Sequence, residues 1–295
     1  MNFPSPLRYP GGKYCIRAFV SSLIDENDLT GISYAEPFAG GAGLALSLLY
    51  DEKVQSIMLN DFDPAIYSFW RTSLLDTTRL LDWIENVDIN IDNWQHFKEI
   101  SRNPENHSYL DLAKSTFFLN RTNVSGVLKG GPIGGLKQDG KYKMDARFNK
   151  ASLQKRIEKL ASYRDRIELS NLDGEDFLSK LNEYRHSVLI YIDPPYFVKG
   201  SQLYLNAFKA QDHQRIARKT HRLTKFWFTS YDFNESIVDL YSSYNIVHYR
   251  LSQNTSNRIG DEVIIFDPRL KFDRSVKNLK AARLLAKQSH VNFHV

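Results

Sequence analysis

Apolar positions along this chain fall into two rhythms. The first is a set of short, mostly apolar runs bounded by glycine, proline or acidic residues: 32–38 (ISYAEPF), 54–59 (VQSIML), 167–170 (IELS), 187–192 (SVLIYI), 225–230 (KFWFTS), 245–250 (NIVHYR) and 262–266 (EVIIF). Runs of this length and composition suit strands of a buried sheet. Between the first two, residues 44–50 (LALSLLY) read as a helix laid against that sheet. Strand, glycine turn, helix, strand and then an acidic residue is the opening order of a doubly wound α/β fold. The last two runs are expected to pair antiparallel at the sheet edge.

The second rhythm occupies residues 74–148, where Leu80, Leu81, Trp83, Ile84, Phe97, Ile100, Leu110 and Leu112 recur at helical spacing. No strong strand pattern interrupts them. The expected organisation is therefore one α/β domain with a mixed, mainly parallel sheet, built from residues 1–73 and 149–295, with a mostly helical unit, 74–148, inserted between its parts. Inside that unit, residues 120–143 are rich in glycine, lysine and arginine and read as a long, exposed, cationic loop. The tail after Arg274 (VKNLKAARLLAKQ within it) reads as a solvated terminal helix. Trp70, Trp83, Trp94 and Trp227 are expected to pack, and His213 and His221 to face solvent.

Composition narrows the classes. At 295 residues and 42% hydrophobic, the chain can fill the core of one or two domains. Its single cysteine can make neither an internal disulfide nor a multi-cysteine metal site. No apolar run reaches the ~18 residues of a membrane helix, and residues 1–13 contain three prolines and no apolar signal-peptide stretch. A cytoplasmic protein is expected. A formal charge of +5 permits a polyanionic partner without requiring one.

Two motifs bring chemistry. Glu36-Pro37-Phe38-Ala39-Gly40-Gly41-Ala42-Gly43 sits at a strand-to-helix turn, where glycines let a ligand approach the backbone. It is neither GxGxxG nor a phosphate-binding GxxxxGK loop. Asp61, just past the next strand, adds a carboxylate suited to ribose hydroxyls, so an adenosine-containing cofactor fits. Asp193-Pro194-Pro195-Tyr196 follows the 187–192 run directly, at the carboxyl edge where open sheets place ligands. Asp193 and the Pro194 carbonyl suit the two hydrogens of an exocyclic amine, and Tyr196 suits the face of its ring. Cys15 lacks the preceding proline expected of a C5-cytosine methylating nucleophile. Neither a zinc-deaminase signature nor an acidic metal cluster appears, so no metal is expected.

In their order along the chain, LRYPGGK (7–13), EPFAGGAG, NDFD, DPPY and RIGDEVIIF make the sequence resemble the Dam-type, D12-class, DNA adenine-N6 methyltransferases. The resemblance implies a Rossmann-like methyltransferase fold, S-adenosylmethionine as cofactor with S-adenosylhomocysteine as product, and double-stranded DNA as substrate, its adenine flipped out for direct in-line transfer. It implies cofactor contacts for Tyr9, Gly11, Gly12 and Lys13, for the turn residues Glu36, Pro37, Phe38, Ala39, Gly40, Gly41 and Gly43, and for Asp61 and Asp193. Asp176-Phe177 resembles the acid and aromatic that hold the cofactor adenine. The inserted region resembles the family's target-recognition unit, with Asn120, Arg121, Thr122, Asn123, Ser125, Lys129, Lys137, Lys141 and Lys143 as candidate DNA contacts; Val124, Val127 and Leu128 stand where the family often has aromatics. Tyr204 is a candidate for a loop over the flipped base. A monomer is expected, with any cognate restriction endonuclease acting separately. Cytosine-N4 methylation, RNA methylation and a non-catalytic DNA-binding regulator remain the alternatives.

Overall fold

The computed structural model describes residues 3–9, 11–195, 208–253 and 258–286, so Tyr196 and Tyr204 lie outside the described residues. After a short 3-10 turn at Lys13–Ile16, α1 (Arg17–Glu26) leads to β1 (Ser33–Glu36), α2 (Gly43–Tyr50) and β2 (Ser56–Asn60). Five helices follow: α3 (Pro64–Leu75), α4 (Thr77–Asn86), α5 (Ile91–Arg102), α6 (Tyr109–Thr122) and α7 (Lys150–Ser162). The chain then alternates through β3 (Ile167–Ser170), α8 (Gly174–Glu183), β4 (Val188–Ile192), α9 (Ala210–Thr220), β5 (Phe226–Asp232), α10 (Glu235–Leu240), β6 (Asn245–Gln253), β7 (Arg258–Phe266) and β8 (Lys280–Ala286).

The strands form one sheet in the order β3-β2-β1-β4-β5-β7-β6-β8, parallel from β3 to β5 and antiparallel beyond. From β1 the chain winds outward to β2 on one side, while β4 lies against β1 on the other. That reversal opens a crevice at the carboxyl ends of β1 and β4. Every residue of β4 is buried, as expected of a strand covered on both faces. Seven of the eight residues of α2 are buried too, which explains why its sequence is apolar all round.

The helices between β2 and β3 share the core of the sheet. Phe69 of α3 stacks on Phe117 of α6 with centroids 5.4 Å apart, and both belong to the same buried cluster as Leu46, Leu59 and Tyr191. Asp63 caps α3 by accepting the Ala65 N–H at 2.9 Å, with Pro64 supplying a preset φ at the first position. Trp70 is buried, and its indole N–H donates to the Gly40 carbonyl at 2.9 Å. The expected boundary between residues 73 and 74 thus falls inside a helix tied to the glycine turn.

Three expectations need correction. The tail is not a helix: β8 pairs antiparallel with β6, with irregular register at two places. Its helix-prone residues lose to the unpaired backbone that β6 would otherwise present, and β6 and β7 are therefore not the sheet edge. Residues 120–123 are not exposed loop but the buried end of α6 and its C-cap, because their polar side chains satisfy backbone groups inside the protein. His213 is fully buried on α9 against Phe208 and Tyr231, whereas His221 is exposed as expected.

Candidate active site

The crevice at the sheet's switch point is lined by Tyr9, Gly11, Gly12 and Lys13 from the N-terminal segment, by Glu36, Phe38, Ala39 and residues 41–44 from the glycine turn, and by Asp61, Phe62, Asp63, Asp173, Gly174, Tyr191, Asp193, Pro195 and Phe208. Residues 180 positions apart in sequence meet there: the Lys13 ammonium donates to Asp193 Oδ1 at 2.8 Å.

The glycines are needed for space as well as for conformation. Gly40 has φ +46°, and a Cβ on it would lie 2.5 Å from the Tyr9 ring; one on Gly41 would lie 2.6 Å from Tyr9 Cβ. Gly40 does not line the crevice but anchors the turn, its N–H donating to Asp61 Oδ2 at 2.8 Å and its carbonyl accepting from Trp70. Pro37 does similar work: its carbonyl accepts from the Asn60 side chain at 2.9 Å.

Acidic groups dominate the crevice and differ in their support. Asp61 accepts two backbone N–H groups, from Gly40 and from Asp63 at 3.0 Å. Burial pushes its carboxyl up to about 7, with the neighbouring Asp63 charge adding to the rise. Glu36 is buried at the end of β1 and accepts from the Tyr34 hydroxyl at 3.1 Å. Burial, reinforced by the charge of Asp193, pushes it up to about 8. Asp193 is half-buried past the end of β4, and its Oδ1 accepts from both Lys13 and the Ser230 hydroxyl, the latter at 2.7 Å. Because Ser230 spends its proton on Asp193, the Tyr191 hydroxyl at 2.6 Å is the donor to Ser230.

The acid and aromatic expected at the cofactor adenine, Asp176 and Phe177, are not among the residues the structure brings to the crevice. Phe177 is buried on the core face of α8 with Leu178 and Leu181, and neither it nor Asp176 lines the crevice. The lining residues are Asp173, which caps α8 by accepting from the Glu175 N–H at 2.8 Å, and Gly174, where a Cβ would meet the Phe38 ring at 2.6 Å. The aromatic surface comes instead from Phe38, Phe62 and Phe208, with Phe38 and Phe208 edge to face at 5.6 Å. Sequence reading missed Asp63, Asp173, Phe62, Phe208 and Ser230. An Asp-Gly pair opening a helix is the signal that marks Asp173.

The candidate DNA contacts divide into two groups. Asn120 exchanges two hydrogen bonds with the Arg8 backbone, at 2.8 and 2.6 Å, Asn123 accepts from the Trp94 indole at 2.7 Å, and Thr122 donates back to Phe118. These three side chains point inward. Arg121, 9% exposed, reaches the carbonyls of Arg147 and Pro6. Burial and the nearby charges of Arg8, Arg156 and Arg147 push its guanidinium down to about 9. None of these four arginines is paired with a carboxylate among the described residues. Lys129, Lys137, Lys141 and Lys143 are exposed, and Ser125 is half-buried in a left-handed turn at φ +56°.

A crevice at the switch point of a doubly wound sheet, with a glycine turn on one strand and Asp-Pro-Pro on the next, is the place where α/β folds of this class hold a nucleotide-type ligand. The D12 class N6 adenine-specific DNA methyltransferase family model matches residues 9–254, and the chain belongs to that family. It is accordingly an S-adenosylmethionine-dependent DNA adenine methyltransferase. No curated protein matches the sequence. A solved structure described as a conserved hypothetical protein from Streptococcus pyogenes matches over 82% of this chain and 90% of that one, at 10% identity and a TM-score of 0.33, a likeness too loose to carry an argument.

The crevice fits the methyl donor that the family implies. Glycines that leave no room for a Cβ, a set of carboxylates suited to ribose hydroxyls and to a cationic methionine end, and the Phe38, Phe62 and Phe208 rings for an adenine are present together. Among the described residues, no group of three metal-ligating side chains occurs and no helix is long and apolar enough to cross a membrane.

Proposed function

We propose that this protein methylates adenine N6 at a specific site in double-stranded DNA, with S-adenosylmethionine in the glycine-turn crevice and the target base swung out of the duplex. The observation that carries the reading is Asp193, set at the tip of β4 in the crevice of the glycine turn and fixed through one oxygen by Lys13 and Ser230. When bound, S-adenosylmethionine supplies an electrophilic methyl group and departs as S-adenosylhomocysteine.

An aromatic amine is a poor nucleophile because its lone pair is delocalised into the ring. Asp193 Oδ2, which carries neither of the two bonds, takes one amine hydrogen, and the Pro194 carbonyl takes the other. Held in this way towards sp³ geometry, the nitrogen localises its lone pair for in-line attack. Pro194 and Pro195 restrict the turn, and fixed positioning of this kind is worth up to ~7–11 kcal/mol of barrier. Tyr196 is assigned to stack on the base, and the amine proton passes to solvent. Flipping the base costs a few kcal/mol, which contacts to the DNA backbone offset. Lys129, Lys137, Lys141 and Lys143, with exposed Arg147 and half-buried Arg8 and Arg156, none of these three arginines paired with a carboxylate among the described residues, supply those contacts, and Arg121 backs them from inside. Asn120, Thr122 and Asn123 shape the surface from behind.

The test is to incubate the protein with methyl-labelled S-adenosylmethionine and unmethylated DNA, digest to nucleosides and identify the labelled product by mass spectrometry. Labelled N6-methyladenine is expected. Labelled N4-methylcytosine would keep the geometry and change the base; label only in RNA, or stoichiometric DNA binding without turnover, would sink the reading.

A further inference from the structure

We propose that Glu262 is a positioning residue for methyl transfer: together with Asp193 it holds the buried Lys13 ammonium between two carboxylates, keeping the cluster at the tip of β4 anionic as positive charge arrives on the substrate amine. The inference rests on the reading of Asp193 as the amine acceptor.

Glu262 lies on β7 in the antiparallel part of the sheet, fully buried, and its Oε2 is 3.7 Å from Lys13 Nζ. That separation is too long for a good hydrogen bond, so Glu262 acts on Lys13 mainly through its charge. Lys13 is itself only 4% exposed, and an ammonium buried so deeply requires anions around it. The Tyr249 hydroxyl on β6 donates to Glu262 Oε2 at 2.5 Å and fixes the carboxylate where it stands. Burial and the Glu262 charge hold the Tyr249 hydroxyl well above its ordinary pKa, so it remains a donor.

The reaction explains why a second carboxylate is useful. As the methyl group moves, positive charge leaves the donor sulfur and appears on the amine nitrogen before its proton is lost. A lone Lys13–Asp193 pair would present no net charge to that nitrogen. With Glu262 the group carries one net negative charge, which favours the transition state over the ground state. Lys13 can then orient Asp193 without cancelling its attraction for the amine.

Substituting Glu262 by Gln keeps the shape and removes the charge. The Lys13 ammonium, followed by ¹³Cε NMR in the cofactor-free protein and assigned with K13R, is expected to lose its proton at least about one pH unit lower in E262Q. The groups facing it are Asp193 and Tyr191 on β4, Tyr249 on β6, Glu262 on β7 and Cys15 on its own turn, with Glu36 of β1 facing Asp193; all except Glu262 are retained. Single-turnover methyl transfer is expected to fall roughly tenfold, while dissociation constants for S-adenosylmethionine and DNA stay within about twofold. An unmoved Lys13 titration overturns the proposal even if activity is lost, because a purely structural defect does the same. An unchanged rate constant overturns it as well. Should E262Q fail to fold, E262D, which keeps the charge but draws it back from Lys13, carries both readouts, with smaller shifts of the same sign expected and none overturning the proposal. Failure of the Asp193 reading is separately visible as full activity in D193A.

Discussion

The tips of β4 and β2 both present a carboxylate to one crevice, yet they are built in opposite ways. Asp193 is held by side chains, a buried ammonium and a hydroxyl, both on one oxygen. Asp61 is held by backbone, with an N–H on each oxygen. Side-chain partners can be tuned and leave an oxygen for a substrate, whereas backbone partners fix a turn and put most of the carboxylate's capacity into architecture. On the proposed reading, the crevice pairs an acid placed for chemistry with an acid placed for shape.

The contrast can be broken at either end, and the largest effect is expected at β4. D193A should lower single-turnover methyl transfer by at least about 10³-fold, given what removal of a preorganised polar group costs, with cofactor affinity nearly intact by calorimetry. Unchanged turnover would defeat the assignment of the amine acceptor. At β2 the pattern should invert. D61A leaves the Gly40 N–H without its partner, costing about 1–3 kcal/mol, and should raise the cofactor dissociation constant ~10–100-fold with little change in rate at saturation. A rate loss with normal affinity would show that the two tips are not distinct.

Protonation sharpens the comparison further. Glu36 and Asp61 are pushed up to about 8 and about 7, so the folded, cofactor-free protein binds more protons than the unfolded chain between the ordinary carboxylate range and those values. Their contribution to stability is therefore present at low pH and lost as pH rises towards 8. The unfolding midpoint of the cofactor-free protein should fall over this window. A cationic cofactor end favours ionised Glu36, so binding should release protons and tighten by up to about tenfold per pH unit below about 8. Titration calorimetry in buffers of different ionisation enthalpy measures that release, and a buffer-independent heat would count against it.

The smallest effect belongs to the surface. Arg147 is exposed and carries no carboxylate partner among the described residues, so R147A should reduce the slope of log affinity for DNA against log salt by about 0.9 and leave cofactor affinity alone. An unchanged slope would remove Arg147 from the DNA path.

Much of this was legible in the chain because it is local. Short apolar runs marked β1 to β7, and the glycine turn and the Asp-Pro-Pro step were fixed to the ends of β1 and β4 by their adjacency to those runs. What escaped depends on contacts distant in sequence. Nothing near Lys13 announces that it meets Asp193 or Glu262. Asp176-Phe177 has the composition of a ring-binding pair, but capping by Asp173 starts α8 so that Phe177 turns into the core. The Asn120 to Asn123 segment has the polarity of a loop, and only its hydrogen bonds to Arg8, Trp94 and Phe118 show that the polarity is spent indoors. The tail has helical composition, and a neighbouring strand decided otherwise.

That last strand matters most while the protein is being made. Until residues 280–286 leave the ribosome, β6 offers its open flank to any passing chain with free backbone groups. A truncation before Lys280 retains every residue of the crevice, so its defect should appear as insoluble material in the expressing cell rather than as a damaged site.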